Sequence, residues 1–442
     1  MKGVDAGWVA AAAGARLVAG QATAEGPRRA VVDSRTVGVG DLFVGIDGER
    51  ADGGAYAADA LEAGAWGALV EPAHADALSD ASASAAILAA DDSAAALARL
   101  ATAWRSELGC AVLAVTGSTG KTSTKDILAA LLASDRRTHA SRENYNTEIG
   151  LPLAVLEAER GVEALVLELA MRGEGQIAEL TAIARPDVGV IVNVGPVHLE
   201  LLGTVERVAA AKAELIRDLP PAATCVIPAD EPLLAPHVRE DLETVTFGAG
   251  GDVALTNFEA GTATIDARGE VVELELDYDQ PYNLDNTLAA VAAAQAVGVR
   301  PSGRVDVAFS SLRGEVVELP GGVTVVNDCY NANPMSMRAA LEHLAGSPAQ
   351  RRIAVLGGMA ELGDREAEFH RAVGEQADAL GIDVLIAVGE LALGYRERFG
   401  GEAQAVASAE EAAAVLEEVG AAGDRVLIKG SRSVGLERVL AC

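Results

Sequence analysis

Thr116-Gly117-Ser118-Thr119-Gly120-Lys121-Thr122 assembles the parts needed to hold a phosphate chain. Glycines let bare backbone N–H groups approach phosphate oxygens, and a helix opening after Gly120 adds partial positive charge. The Lys121 ammonium can reach terminal phosphates, while the Thr122 hydroxyl can ligate magnesium. The longer phosphate-loop spacing would place a glycine at Val115; this chain carries the shorter TGxxGKT form. The competing reading is a plain strand–turn–helix corner with a chance GKT. The flanks argue against it, because Val112–Val115 is an apolar run and Ile127, Leu128, Leu131 and Leu132 continue a helical stripe. Gly117, Ser118, Thr119, Gly120, Lys121 and Thr122 are candidate nucleotide-binding residues.

Other reactive side chains follow similar apolar runs. Glu168 ends Ala164-Leu165-Val166-Leu167, where a carboxylate beside the phosphate loop can complete magnesium coordination. His198 follows the run through Val190–Val194 and is either a hydrogen-bonded loop histidine or a ligand at the same sheet edge. Lys212 falls inside the apolar stripe Val205, Val208, Ala209, Leu215, Ile216, Leu219. It either snorkels, pairs with Glu214 or Asp218, or reacts with carbon dioxide to give a metal-binding carbamate. Asn283 reads first as a helix N-cap with Asn286 one turn in. Asn333 and Pro334 read as the cap and first position of another helix, and Asn144-Tyr145-Asn146-Thr147 as a polar turn.

The elements that must position these groups are alternating strands and helices. Expected strands are Ala111–Thr116, Ala164–Leu169, Val188–Asn193 and Thr224–Pro228, the pattern of a mostly parallel sheet covered on both faces. A β-rich stretch, Val245–Leu276, interrupts that alternation before a helix at Leu284–Val297. A first unit has a strand running into a polar turn over Ala30–Thr36, a second strand at Gly40–Gly45, helices near Trp8–Gly14 and Tyr56–Ala63, and a boundary in the low-complexity segment Asp76–Ala90. A last unit has strands at Val323–Asn327, Arg352–Leu356, Val384–Val388 and Arg425–Ile428. The expectation is an α/β protein of three domains: 1–92, a small α/β unit; 93–313, a central phosphate-loop ATPase with a parallel sheet; and 314–442, a Rossmann-like unit.

Composition narrows the function classes. The net charge of −30 disfavours nucleic acid and anionic membranes as partners, so an anionic ligand needs a local positive site. The four cysteines are scattered without CxxC spacing, against a disulfide framework or zinc site. No apolar run approaches the ~20 residues of a membrane span, and a cytoplasmic protein, a monomer without membrane insertion, is expected. Only five lysines stand among 30 arginines, so each interior lysine calls for a reason that arginine cannot supply.

Together these segments resemble the Mur ligases, ATP-dependent amino-acid ligases of peptidoglycan synthesis. The resemblance runs from about Val31 to Arg438. It rests on Asp33-Ser34-Arg35 with Gly40–Val44, Thr116–Thr122, Asn144–Pro152, Glu168–Gly173, Asn193–Leu199 and Ala211–Glu214. It continues through Asn283–Asn286, Asp328–Pro334, Gly358–Gly363 and Lys429–Ser433. It implies ATP and two magnesium ions, one on Thr122 and Glu168, the other on His198 and carbamylated Lys212. Asn283 and Asn286 would read the adenine, with Arg313 and Asp328 reaching the nucleotide from the third domain. Ser34 and Arg35 would line a UDP pocket, and Asn144, Asn146 and Thr147 would touch the muramoyl peptide. Tyr330, Asn331 and Ser431 would meet an incoming dipeptide. The branch implied adds D-alanyl-D-alanine to UDP-N-acetylmuramoyl-tripeptide through an acyl phosphate. Three positions depart from the family pattern: Thr147 where asparagine is more frequent, Tyr282 where histidine is common, and a compact Arg313-Gly314-Glu315 segment.

The rival readings are a Mur ligase adding the third residue, a folylpolyglutamate synthase, a GTP-driven switch and a nucleotide-binding relic of a ligase. The Asp-Asn-Pro-Arg of diaminopimelate-adding enzymes and the Asn-Lys-x-Asp that reads guanine are both absent from the chain. A folate ligase would lack the UDP-binding unit suggested by Asp33–Val44.

Overall fold

The computed structural model describes residues 1, 3–48, 51–79, 85–142 and 144–440. Strand Ala111–Thr116 shows why the middle of the chain is layered. Alternate residues of a strand face opposite sides, and here Val112 and Ala114 enter one core while Leu113 and Val115 enter another. A strand buried on both faces needs helices above and below it. Helices Lys121–Ala133 and Pro281–Ala296 cover one face; Gly150–Glu157, Gln176–Ala184 and Val205–Asp218 cover the other.

Ala111–Thr116 pairs in parallel with Ala164–Glu168 on one side and Val188–Ile191 on the other. Thr138–Ala140 extends the sheet beyond the first of these, and Thr224–Pro228 and Glu243–Phe247 extend it beyond the second. The β-rich stretch does not interrupt this sheet. Val253–Glu259, Thr262–Ala267 and Glu270–Leu276 form an antiparallel meander on its far edge, closed by Gly303–Val305, giving ten strands in all.

The N-terminal sheet has five strands in the order Arg16–Ala19, Ala86–Ala89, Gly67–Val70, Leu42–Val44, Ala30–Val31, parallel except for the first pair. One expectation holds here and another needs correcting. The strand from Ala30 runs into a polar turn as expected: it ends at Val31 and gives way to a 3-10 turn at Ser34–Thr36, where Asp33 Oδ1 takes the Arg35 backbone N–H. The segment Asp76–Ala90 is no boundary, since it holds the end of helix Pro72–Ser79 and the fully buried strand Ala86–Ala89. Ala86 and Ala89 are buried in the sheet; Asp80–Ser84 lie outside the described residues. Helix Ser93–Leu108 joins this unit to the next by packing on both Ala6–Ala13 and Gly150–Glu157, and its buried Trp104 donates Nε1–H to Ala158 O at 2.9 Å.

The C-terminal sheet runs Glu315–Leu319, Val323–Asn327, Arg425–Lys429, Arg352–Gly357, Val384–Val388, Glu402–Val406. Only its first pair is antiparallel. The two outer strands went unread in the sequence because both are half-exposed edges without an apolar run. Among the described residues no helix is long and apolar enough to cross a membrane.

Candidate functional site

A cavity of about 1240 Å³ opens where the carboxyl ends of the central strands meet the third domain. Sheets of this type present ligand crevices at such strand ends. Gly120 starts the phosphate-loop helix at φ +77, and a Cβ there would stand 2.6 Å from Asn286 Oδ1. The loop's first turn is held from outside. Asn193 Oδ1 accepts from the Ser118 and Thr119 backbone N–H groups at 3.1 and 3.0 Å, and its Nδ2 donates to Thr119 O at 3.2 Å. Ser118 Oγ accepts from Gly195 N at 2.9 Å. Lys121 folds back to donate to Gly117 O at 2.9 Å. Burial pulls its ammonium below the usual lysine range, an effect that Glu168 opposes and Arg313 reinforces.

Beside the loop, Thr122 Oγ1 donates to Glu168 Oε2 at 2.8 Å and Asn146 Nδ2 donates to Oε1 at 2.9 Å. Glu168 is 2 % exposed, so these two donors and whatever enters the cavity are its environment. Lys212 is also 2 % exposed and lines the same cavity. Neither companion considered from the sequence pairs with it. Glu214 accepts from the Gly175 and Ala178 N–H groups at the start of a neighbouring helix, and Asp218 binds Arg217. Among the described residues Lys212 has no hydrogen-bond or ion-pair partner. Burial, with the Lys121 charge nearby, holds its amine well below the usual lysine range.

His198 reaches the cavity wall in left-handed conformation (φ 53), and its Nδ1 lies 2.5 Å from Glu361 Oε2 of the third domain. Leu312 (φ 62) and Glu361 (φ 64) share that uncommon backbone region. From the third domain, Arg313 lies over the Tyr330 ring at 4.0 Å. Asp328 Oδ2 accepts from the buried Lys429 Nζ at 2.5 Å, and Lys429 also donates to Asn331 O at 3.2 Å.

The cavity wall gathers Ser118, Thr119, Gly120, Lys121, Thr122, Asn146, Thr147, Glu168, His198, Lys212, Asn286, Arg313, Asp328, Tyr330 and Asn331. Several candidates stand outside it. Gly117 sits behind the loop and supplies only its carbonyl. Asn144 is exposed on the preceding turn. Asn283 is not the N-cap expected of it. Proline at position 281 starts the helix two residues earlier, and buried Asn283 Oδ1 instead accepts from Asn286 Nδ2 at 3.2 Å. Ser431 Oγ accepts from Ala360 N at 2.9 Å and ties two loops of the third domain together. Ser34 and Arg35 are in the 3-10 turn that follows a strand of the N-terminal sheet, where Arg35 pairs with Asp33 at 2.7 Å.

Four residues around the cavity were missed as functional candidates. Asn193 directly follows a buried strand run, a readable signal. Lys429 belongs to the small set of interior lysines. Tyr282 lines the wall with its hydroxyl pKa pushed up by burial. Glu361 gave no signal by itself, since its partner is 163 residues away.

Among the described residues no cluster of three or more His, Cys, Asp or Glu side chains can hold a metal. The donor set here is different in kind: a hydroxyl, one carboxylate, an imidazole and an unpaired amine. Magnesium takes oxygen ligands and commonly completes its shell with substrate phosphates and water. Thr122 and Glu168 fit one such ion. Lys212 fits a second only as a carbamate, and its burial favours the neutral amine that reaction requires.

Fold and site define a three-part α/β nucleotide-binding protein of the phosphate-loop class. Family models match in chain order: the Mur ligase family catalytic domain over residues 30–105, the Mur ligase middle domain over 115–294, and the Mur ligase glutamate ligase domain over 312–432. The chain belongs to the Mur ligase family. It is 36% identical over 432 residues to a UDP-N-acetylmuramoyl-tripeptide–D-alanyl-D-alanine ligase of Synechocystis sp., covering 92% of this chain and 90% of that one. The corresponding ligase of Bacillus subtilis is 34% identical, covering 92% and 91%. Among solved structures, MurF from Acinetobacter baumannii superposes with a TM-score of 0.87 at 28% identity, covering 100% and 98% of the two chains. MurF from Thermotoga maritima, in complex with ADP, gives 0.80 at 35% identity, covering 94% and 96%.

Proposed function

We propose that this chain ligates D-alanyl-D-alanine to UDP-N-acetylmuramoyl-tripeptide at the expense of ATP. The observation that carries this reading is the single cavity that gathers the phosphate loop, Glu168, His198 and Lys212 with Arg313, Asp328 and Tyr330 of the third domain. The near-complete overlap with relatives bearing that ligase name supports the substrate pair.

The chemistry follows from the reactants. A carboxylate does not accept an amine at neutral pH, so the peptide's terminal carboxylate oxygen first attacks the γ-phosphorus of ATP and ADP leaves. The dipeptide's neutral amine then attacks the acyl carbon, and phosphate departs from the tetrahedral adduct with the amine's proton released. Lys121, the loop N–H groups and Arg313 surround the polyphosphate and offset charge that builds on the transferred group. Asn286 and Tyr282 stand on the wall where the base of the nucleotide would lie, with Asn283 behind Asn286 as its support. Thr122 and Glu168 would hold one magnesium ion, and His198 with carbamylated Lys212 a second. When bound, the two ions would neutralise phosphoryl charge. Asn146 and Thr147 are assigned to the muramoyl peptide, Tyr330 and Asn331 to the dipeptide, and Ser34 and Arg35 to the UDP moiety. We also infer domain limits near residues 92 and 313, supported by the three separate sheets. An acyl phosphate hydrolyses readily, and a third domain seated over the loop would exclude water from it.

The deciding experiment is phosphate release from ATP with UDP-N-acetylmuramoyl-tripeptide, with and without D-alanyl-D-alanine. Release that depends on the dipeptide, with a pentapeptide product by mass, supports the assignment. Release indifferent to the dipeptide refutes it.

A further inference from the structure

Glu361 belongs to the third domain, in the loop after strand Arg352–Gly357, yet its side chain works inside the second. Oε2 lies 2.5 Å from His198 Nδ1, Oε1 lies 3.6 Å from Arg172 Nε, and the Glu361 carbonyl accepts from Glu200 N at 3.3 Å. Arg172 follows strand Ala164–Glu168 and His198 follows strand Val188–Ile191. One carboxylate therefore spans the exits of two strands on either side of the phosphate-loop strand. The contact is built for close approach: a Cβ on Gly363, at φ +62, would stand 3.3 Å from the Glu200 Cα and N.

We propose that Glu361 is a positioning residue for His198, turning the imidazole so that Nε2 faces the second cation only when the third domain is seated on the second. The inference rests on the two-cation ligase reading above. An imidazole whose Nδ1–H is held by a carboxylate keeps its lone pair on Nε2, the arrangement that orients metal-binding histidines. Nε2 has no partner among the described residues, and His198 lines the cavity that Lys212 also lines. Cation binding and domain seating are then one linked equilibrium, each favouring the other. A purely structural ion pair would instead affect stability and leave cation binding untouched.

The test uses the full chain with an ATP analogue whose β–γ bridge cannot be cleaved, and Mn2+ in place of Mg2+. Bound ions are counted by electron paramagnetic resonance, and melting curves confirm that each variant folds. Wild type is expected to bind two Mn2+. Glu361→Ala should keep the first at wild-type affinity and weaken the second by about 10- to 100-fold. Its kcat should fall while KM for ATP changes little. Glu361→Gln, whose amide oxygen can still accept from Nδ1–H, should recover part of the loss. Adding Glu361→Ala to His198→Ala should weaken the second ion no further than His198→Ala does. An unchanged second ion, equal weakening of both ions, or additive losses in the double variant would overturn the proposal. A wild type that binds one Mn2+ brings down the two-cation reading and this inference with it; two ions in wild type and in Glu361→Ala alike remove this inference alone.

Discussion

Gly120 and Asn286 touch: the position a Cβ would take on the glycine lies 2.6 Å from the amide oxygen of the asparagine. The loop's tight turn and the helix at Pro281–Ala296 are thus fitted to each other, and φ +77 already disfavours a side chain there. Gly120→Ala should leave the fold intact, displace Asn286 and weaken ATP binding at least about tenfold. That factor corresponds to the roughly 1–3 kcal/mol that a strained backbone residue costs. Calorimetric titration with an ATP analogue checks it, and unchanged affinity would show that the contact relaxes freely.

Asn193 holds the loop by two accepted N–H bonds and one donated bond. Replacing it with alanine leaves the Thr119 N–H without its acceptor and the Ser118 N–H with only the residue-193 backbone carbonyl at 3.1 Å, a deficit costing about 1 kcal/mol or more. Asn193→Ala should therefore raise KM for ATP about tenfold while KM for the dipeptide stays near wild type. Steady-state kinetics with each substrate varied in turn decides this.

Among the described residues Lys212 is a buried amine without a hydrogen-bond or ion-pair partner. Lys212→Ala should cut dipeptide-dependent phosphate release about 100-fold or more, the scale of losing one group that stabilises transition-state charge. Short carboxylates such as formate or acetate should restore part of it by supplying the missing oxygens. Mass spectrometry of the wild type in bicarbonate should show an added carbon dioxide at this residue. A Lys212→Ala enzyme of full activity would place the second cation elsewhere.

The His198 hydrogen bond, opposed by burial and aided by the Arg172 charge, holds the Glu361 carboxyl below its ordinary value of 4.5. A depressed carboxyl pKa contributes stability that is complete above the unfolded value and fades as pH falls through the folded one. Its side chain is 38% exposed, so solvent screening limits the contribution to about 1 kcal/mol or less. Wild type should melt above Glu361→Gln at pH 7, with the gap closing below about pH 4. An equal gap at both pH values would mean the carboxylate charge is not what holds the domains together.

Lys429 and Asp328 form a pair in which the lysine is 2% and the carboxylate 19% exposed. Lys429→Met would leave Asp328 without its ammonium and should destabilise the third domain by about 3 kcal/mol, the lower range for breaking a buried pair. Asp328→Asn in the same background should recover part of the loss in melting temperature.

Periodicity and local chemistry were sufficient for the strands that carry the site. Ala111–Thr116, Thr224–Pro228, Val323–Asn327 and Val384–Val388 are apolar runs buried on two faces, so their limits are legible in one dimension. The Asn333 cap with Pro334 behind it was legible for the same reason, because a cap bonds within three residues. Glu315–Leu319 and Glu402–Val406 were not, since an edge strand takes its structure from a neighbour's backbone rather than from its own side chains. Residue order alone could say that Lys212 sits on an apolar stripe, but not which acid it meets. Glu214 is turned away to cap another helix, and only the packed structure shows the amine left alone. The pairing of His198 with Glu361 is likewise a product of two domains closing on each other, and nothing within either segment's own neighbourhood encodes it.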